Sequence, residues 1–251
     1  MRVLSFFGLL LCVCFITANV SAQSLEQLVN QSLAAEGRPD ADKARDANRK
    51  PLDTLEFFKL EPNQRVLELI PGGGWYTRIL APVLREKGKL YVALGTQGIE
   101  GGLLKEAGFD KVEVANIEAD LARGSGRRLD GTTANFNLEN LDLVLTFRNL
   151  HNFDAGGRNA INKAAYNALK PGGYYGVVDH TRRHNEPESA DNWRRMDPVA
   201  MILEIQAAGF KLVDMSDLHY RENDALNLEV GNEGVTGKTD RFTLLFQKPA
   251  M

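Results

Sequence analysis

From residue 65 to the end of the 251-residue chain, short apolar runs alternate with stretches whose apolar residues recur at helical spacing. The runs RVLELI (65–70), KLYVAL (89–94), KVEVANI (111–117), LDLVLTF (141–147), YYGVVDH (174–180), KLVDMSDL (211–218) and RFTLLFQK (241–248) read as strands. Between them, YTRILAPVL (76–84), IEGGLLKEAG (99–108), GRNAINKAAYNAL (157–169) and PVAMILEIQAAG (198–209) read as helices, and KPGG ends the third. Strands that are apolar on both faces and alternate with helices predict a parallel sheet covered on both sides. No helical pattern separates the last two strands, only a Gly/Asn-rich loop over 223–239, so they are expected to form an antiparallel edge. Upstream, SLEQLVNQSLAAE (24–36) predicts a helix capped by Ser24, and the charged run DADKARDANRKP (40–51) reads as a solvated linker or helix. The expected organisation is a signal peptide over 1–22, an N-terminal helical extension over 23–59 and one α/β domain over 60–251.

The signal assignment rests on Arg2, the apolar run from Val3 to Ile16, and the small-x-small triplet Val20-Ser21-Ala22. The run is shorter than the roughly 20 residues of a spanning helix, so cleavage after Ala22 and export, to a bacterial periplasm, are expected. Cys12 and Cys14, the two cysteines of the chain, both fall inside that segment. The remainder therefore has no disulfide, thiolate nucleophile or cysteine metal site. A net charge of −3 and a pI near 5.9 give no basis for nucleic-acid binding. No later stretch is long and apolar enough to span a bilayer.

Ligands of such sheets bind beyond the carboxyl ends of the strands, so the chemistry should follow each strand. The first strand runs into Pro71-Gly72-Gly73-Gly74 and then a helix start. Glycine permits left-handed backbone and close ligand approach, and the helix start offers free N–H groups. Glu68, an acid inside an apolar strand, needs a partner. The spacing is not a dinucleotide fingerprint, and no GK[ST] follows to make a phosphate loop. ELIPGGGWYT, LDLVLTFRNLHNF, ALKPGGYYGVVDH and AGFKLV together resemble the motifs of the class I S-adenosylmethionine-dependent methyltransferases, over roughly residues 50–248. Within that superfamily the chain looks most like an exported, poorly characterised branch, through RDANRKP, PGGGWYTRILAP, TFRNLHN and GKTDRF. The resemblance implies a doubly wound, mostly parallel seven-stranded sheet and S-adenosyl-L-methionine as cofactor, held by Glu68, Pro71, Gly72, Gly73, Gly74, Thr77, Arg148 and Asn149. The family's ribose-binding acid after the second strand is absent here, which leaves Gln97 or Thr96 as neutral substitutes; Glu118 or Asp120 would meet the adenine.

The fourth strand ends in Arg148-Asn149-Leu150-His151 and the fifth in Asp179-His180. His151 is the candidate general base, because an imidazole titrates near neutrality. Arg148 is a candidate to hold a carboxylate or phosphate of the substrate, or the carboxylate of the cofactor. Asp179 or His180 would orient either of them, and all four are expected to line one cleft facing the glycine loop. The competing reading makes His151 a cap for the helix at 157–169. Trp75, Tyr76 and Phe153 are candidate walls, and His184 is assigned to the surface. HTRRHNEP follows a strand, so His180 and His184 do not form a helical metal pair. No G-x-S-x-G elbow or cysteine supports a hydrolase. The expected activity is methylation of a small-molecule acceptor; the alternative is a non-catalytic ligand- or protein-binding protein on the same scaffold.

Overall fold

A computed structural model describes residues 23–124 and 126–250; the expected signal segment lies outside them. Seven strands form one sheet: β1 (Arg65–Leu69), β2 (Lys89–Ala93), β3 (Glu113–Val114), β4 (Leu141–Phe147), β5 (Leu169–His180), β6 (Lys211–Ser216) and β7 (Arg241–Gln247). Their order is β6-β7-β5-β4-β1-β2-β3, and every pairing is parallel except those of β7, which runs antiparallel to β5 and β6. The chain builds outward from β1 through β2 to β3, then crosses to the other side of β1 with β4. A crevice therefore opens between the carboxyl ends of β1 and β4, where the strand order reverses.

Alternation along the strands divides the core in two. Leu143, Leu145 and Phe147 of β4 pack with Leu55, Phe58, Ile79 and Leu80 from α4 (Pro51–Phe57), its following residue and α5 (Thr77–Leu84). Val144 packs on the other face with Ile161 and Ala165 of α7 (Ala155–Ala168) and Ile205 of α8 (Pro198–Ala207), and Leu141 joins them across an irregularity in the β4–β5 register. The helix α1 (Leu25–Ala34) starts as predicted. Ser24 Oγ accepts from the Gln27 N–H and the Gln27 side chain accepts from the Ser24 N–H, which satisfies two of the free donors of the first turn.

Of the two readings of the charged run at 40–51, solvated linker or helix, the helical one holds. The run folds into two single-turn helices, α2 (Asp40–Lys43) and α3 (Asp46–Arg49), pinned where Arg38 clasps Asp46 bidentately at 2.7–2.8 Å and the Trp75 indole donates to the Asp42 carbonyl at 2.9 Å. The predicted helix at 99–108 is broken into α6 (Gln97–Glu100) and a 3-10 turn at Leu103–Lys105, divided by Gly101 and Gly102, whose backbone entropy disfavours a helix interior. The third strand keeps two of its seven predicted residues and is solvent-exposed at both. The fifth begins at Leu169 rather than 174, since KPGG makes a register shift inside the strand instead of a loop before it. The polar stretch after β3 carries two small antiparallel pairs, Glu118–Ala119 with Ala134–Asn135 and Ala122–Arg123 with Leu129–Asp130.

Candidate functional site

Three adjacent strands end in left-handed residues that are not glycine. Ile70 follows β1 at φ 54°, Leu94 follows β2 at φ 62°, and Arg148 follows β4 at φ 63°. A β-branched residue in this region is a true outlier, costing on the order of 1–3 kcal/mol, and such strain gathers at ligand sites. The surrounding bonds hold the strain: the Ile70 N–H donates to the Ala93 carbonyl at 2.8 Å, and the Asn149 amide donates to the carbonyls of Leu69 and Ile70 at 3.3 and 3.2 Å.

Two cavities meet at Ile70. One, of about 180 Å³, is lined by Glu68, Pro71, Gly72, Gly73, Arg148 and Asn149, and roofed by Asp42, Arg45 and Arg49 from the N-terminal turns with Trp75 and Tyr76. The other, of about 330 Å³, is bounded by Leu94, Gly95, Leu121, Leu129 and Phe153, with Arg123 and Arg127. The first is rich in charge and the second mostly aliphatic. A separate groove of about 290 Å³ lies beside Pro62 and Asn63, before β1, away from the strand ends.

The glycines divide their work. A Cβ placed on Gly72 or Gly73 meets nothing within 4 Å, so both border open space, and Gly72 is left-handed at φ 57°. At Gly74 a Cβ would come within 2.4 Å of the Leu103 side chain. Gly74, left-handed at φ 81°, packs against the 3-10 turn and does not border the charged cavity, where its assignment from sequence had put it. Glu68 is fully buried, and the Thr77 hydroxyl donates to its Oε2 at 2.7 Å. Burial pushes this carboxyl up to about 7, against the opposing pull of the Thr77 hydrogen bond and the Arg49 charge. Thr77 itself is buried, positioning Glu68 without facing the cavity.

The residues expected to meet ribose and adenine are placed differently. Gln97 is exposed at the start of α6, and the Thr96 hydroxyl is turned to Glu100 at 2.5 Å. Neither borders the two cavities; Gly95 and Leu94 do. Asp120 spends its carboxylate on the N–H groups of Thr132 and Thr133 and the Thr132 hydroxyl, which hold it down at about 2, and Glu118 lies on an exposed strand pair. Leu121 takes the cavity-lining position instead.

His151 Nδ1 lies 2.6 Å from Asp179 Oδ1, and the His151 N–H donates to Oδ2 at 3.2 Å. Asp179 is wholly buried and the imidazole nearly so. Nε2 of His151 has no hydrogen-bond partner among the described residues. The helix-cap reading is excluded, because Asp154 caps α7 through the Gly157 N–H at 2.6 Å. The His180 ring stands 5.6 Å from that of His151, with Nδ1 on the Thr239 hydroxyl at 2.9 Å. Burial, then the neighbouring His151 and Arg241, hold its pKa well below the usual imidazole value. The expectation of four residues lining one cleft is therefore half met. They converge, but only Arg148 faces the glycine loop; His151, Asp179 and His180 form a buried layer behind it. His184 is on the surface as expected, bonded to Asp197 at 2.9 Å.

The sheet order, the crevice at β1/β4 and the glycine loop at its lip together make one architecture. The fold is that of the class I S-adenosylmethionine-dependent methyltransferases. No family model matches the chain. It is 28% identical over 149 residues to an uncharacterized methyltransferase of Synechocystis sp., a match that spans 59% of each protein's length. Among solved structures, a SAM-dependent methyltransferase from Aquifex aeolicus aligns over 85% of this chain and 100% of its own, with TM-score 0.56 at 16% identity. The 1,6-didemethyltoxoflavin-N1-methyltransferase of Burkholderia thailandensis, solved with S-adenosylhomocysteine, aligns over 90% of this chain and 87% of its own, with TM-score 0.56 at 14% identity. The [4+2]-cyclase SpnF shares the fold over 92% of this chain and 98% of its own, with TM-score 0.54 at 15% identity, so this scaffold also carries other chemistry.

Proposed function

We propose that the protein is a methyltransferase that binds S-adenosylmethionine across the two cavities and methylates a small acceptor. The observation that carries this reading is the run of left-handed ends at Ile70, Leu94 and Arg148 around a charged cavity joined to an aliphatic one. The residues fit the cofactor. Open space beside Gly72 and Gly73 and the buried acid Glu68 suit an amino-acid end, while Leu94, Leu121, Leu129 and Phe153 suit the flat face of a base. Bound there, the cofactor supplies a methyl group already activated on a sulfonium. The chain then has to align the acceptor and, where the acceptor begins protonated, to remove its proton. His151 Nε2 takes that proton, and Asp179 holds Nδ1–H and steadies the charge that forms. His180, kept neutral by burial, adds no competing cation beside it.

Calorimetric titration of the full chain with S-adenosylhomocysteine tests the reading. A saturable isotherm is expected, weakened by Gly72→Val; no heat at millimolar ligand would remove the cofactor and favour the non-catalytic alternative. Export remains part of the proposal on the pattern of residues 2–22. Mass spectrometry of the protein from fractionated cells should find a chain beginning at Gln23, and a full-length form in the cytosol would refute it.

A further inference from the structure

Arginines are gathered at the site in excess of any anion that the chain provides. Arg49 on α3 and Arg241 at the head of β7 are each about 5% exposed, and Arg148 between them is half-buried. No carboxylate lies within salt-bridge distance of any of the three among the described residues. Arg49 is stacked on the Trp75 ring at 4.3 Å; Arg241 Nε is buried with no hydrogen-bond partner, and its Nη1 reaches only the Asn48 carbonyl, at 3.5 Å. Asp42 and Glu68 border the cavity with Arg148 but outside salt-bridge distance, and Asp179, whose charge Arg148 feels, has already given its oxygens to His151 and to the His180 N–H. The guanidiniums repel one another. Burial first, and then the Arg148 charge, pull Arg49 down to about 9 and Arg241 down to about 10. Burying unpaired charge costs several kcal/mol per ion, and this is a cost a protein keeps where a ligand brings the counter-charge.

The cofactor does not bring enough. S-adenosylmethionine has one carboxylate against an ammonium and a sulfonium, so it is a net cation. Nor does the cavity beside the glycine loop take in all three arginines: Arg49 and Arg148 line it, whereas Arg241 opens β7, three strands from β1 (roughly 14 Å at ordinary strand spacing) and in register with His180. We propose that the methyl acceptor is a small anion whose carboxylate or phosphate group is seated among Arg49, Arg148 and Arg241, with its nucleophile presented to His151. This deepens the methyltransferase reading and rests on it for the acceptor's role. Planar guanidiniums suit both anions, because each offers paired donors to two oxygens.

Trp75 is a built-in reporter, since it lies under Arg49 and the chain has one other tryptophan, Trp193. In full-length Trp193→Phe protein, fluorescence is followed while inorganic phosphate or succinate is added, with sodium chloride at matched ionic strength as the control. The expected result is a saturable change with one or both anions and none with chloride, their relative affinities telling phosphate from carboxylate. Arg241→Gln should weaken anion binding at least about tenfold and leave calorimetric S-adenosylhomocysteine affinity within about twofold. Arg241→Lys should recover part of the loss, and the titration of Trp193→Phe protein with its arginines intact stands whether or not either arginine variant folds. No saturable response in that protein overturns the proposal. So does competition between the anion and S-adenosylhomocysteine, which would give the arginines to the cofactor's carboxylate. Anion binding in a protein that ignores S-adenosylhomocysteine would keep the anion site, end the methyltransferase reading and overturn the acceptor assignment.

Discussion

Two regions of this molecule bury arginine, and they do so in opposite ways. Around residues 181–240, Arg195 is fully buried and closed on itself. It grips Asp224 with both terminal nitrogens at 2.9 and 3.0 Å and donates also to the carbonyls of Leu228 and Thr181. Asp224 in turn accepts from the N–H groups of Leu226 and Asp240. Arg195 and Asp224 thus satisfy each other, and the network ties the long loop to the head of β7. Near the carboxyl ends of β1 and β4, Arg49, Arg148 and Arg241 have no carboxylate within salt-bridge distance among the described residues, Glu68 is an acid pushed toward neutrality, and His151 has an unclaimed nitrogen. Burial of a charge is thus no sign of function by itself. A buried charge whose partner is missing is the sign, because folding alone does not repay it.

The comparison breaks first at His151. If the His151–Asp179 pair is only a structural clasp, like Arg195–Asp224, then His151→Ala should cost stability and spare chemistry. We expect turnover on an acceptor chosen from the anion titration to fall about 10²–10⁴-fold, with S-adenosylhomocysteine affinity nearly unchanged; the melting temperature falls too, because buried Asp179 loses its ring partner, so turnover is compared below that temperature, where the variant is folded. The closed region should show the reverse. Asp224→Asn leaves Arg195 buried beside a neutral amide, so stability in urea should fall by about 3–5 kcal/mol, with cofactor affinity intact under folding conditions.

Glu68 sharpens the contrast through pH. Its carboxyl is pushed up to about 7 in the folded chain from the ordinary glutamate value of 4.5, so the native state binds the extra proton between those values. Stability is full below about 4.5 and declines as pH rises toward about 7. Glu68→Gln keeps an acceptor for the Thr77 hydroxyl and removes the ionisation. At pH 8 the variant should be the more stable protein by on the order of 3 kcal/mol, and near pH 4 the two should melt together. A wild-type melting curve that is flat in pH would show that the acid has a partner after all. The smallest effect separates the two glycines. Both glycines are left-handed, so alanine costs about 1–2 kcal/mol of backbone strain at either; Gly74→Ala should lose further stability through its contact with Leu103, whereas Gly72→Ala, which borders open space, should act besides on S-adenosylhomocysteine affinity. Equal affinity losses in both would return Gly74 to the ligand site.

Much of this was legible along the chain. The alternation of apolar runs with helical spacing placed all seven strands, the Ser24 cap and the antiparallel end, since periodicity and capping are local properties. It also brought Glu68, Pro71, Gly72, Gly73, Arg148 and Asn149 to the strand ends where the charged cavity lies. The ribose and adenine candidates Gln97, Glu118 and Asp120 were misplaced because short, exposed elements near the sheet edge carry little pattern, and a one-residue change of register exchanges the faces. Arg49 looked like one more charge in a polar run; nothing in DADKARDANRKP distinguishes it from Arg45, which stays exposed. The sequence by itself determined which elements form and where chemistry can stand along them. Only the tertiary structure decided that Arg49, Arg148 and Arg241 meet without a carboxylate while Arg195 meets Asp224. The partners lie tens to hundreds of residues apart, and whether a buried charge is paired depends on which strands and loops are brought side by side.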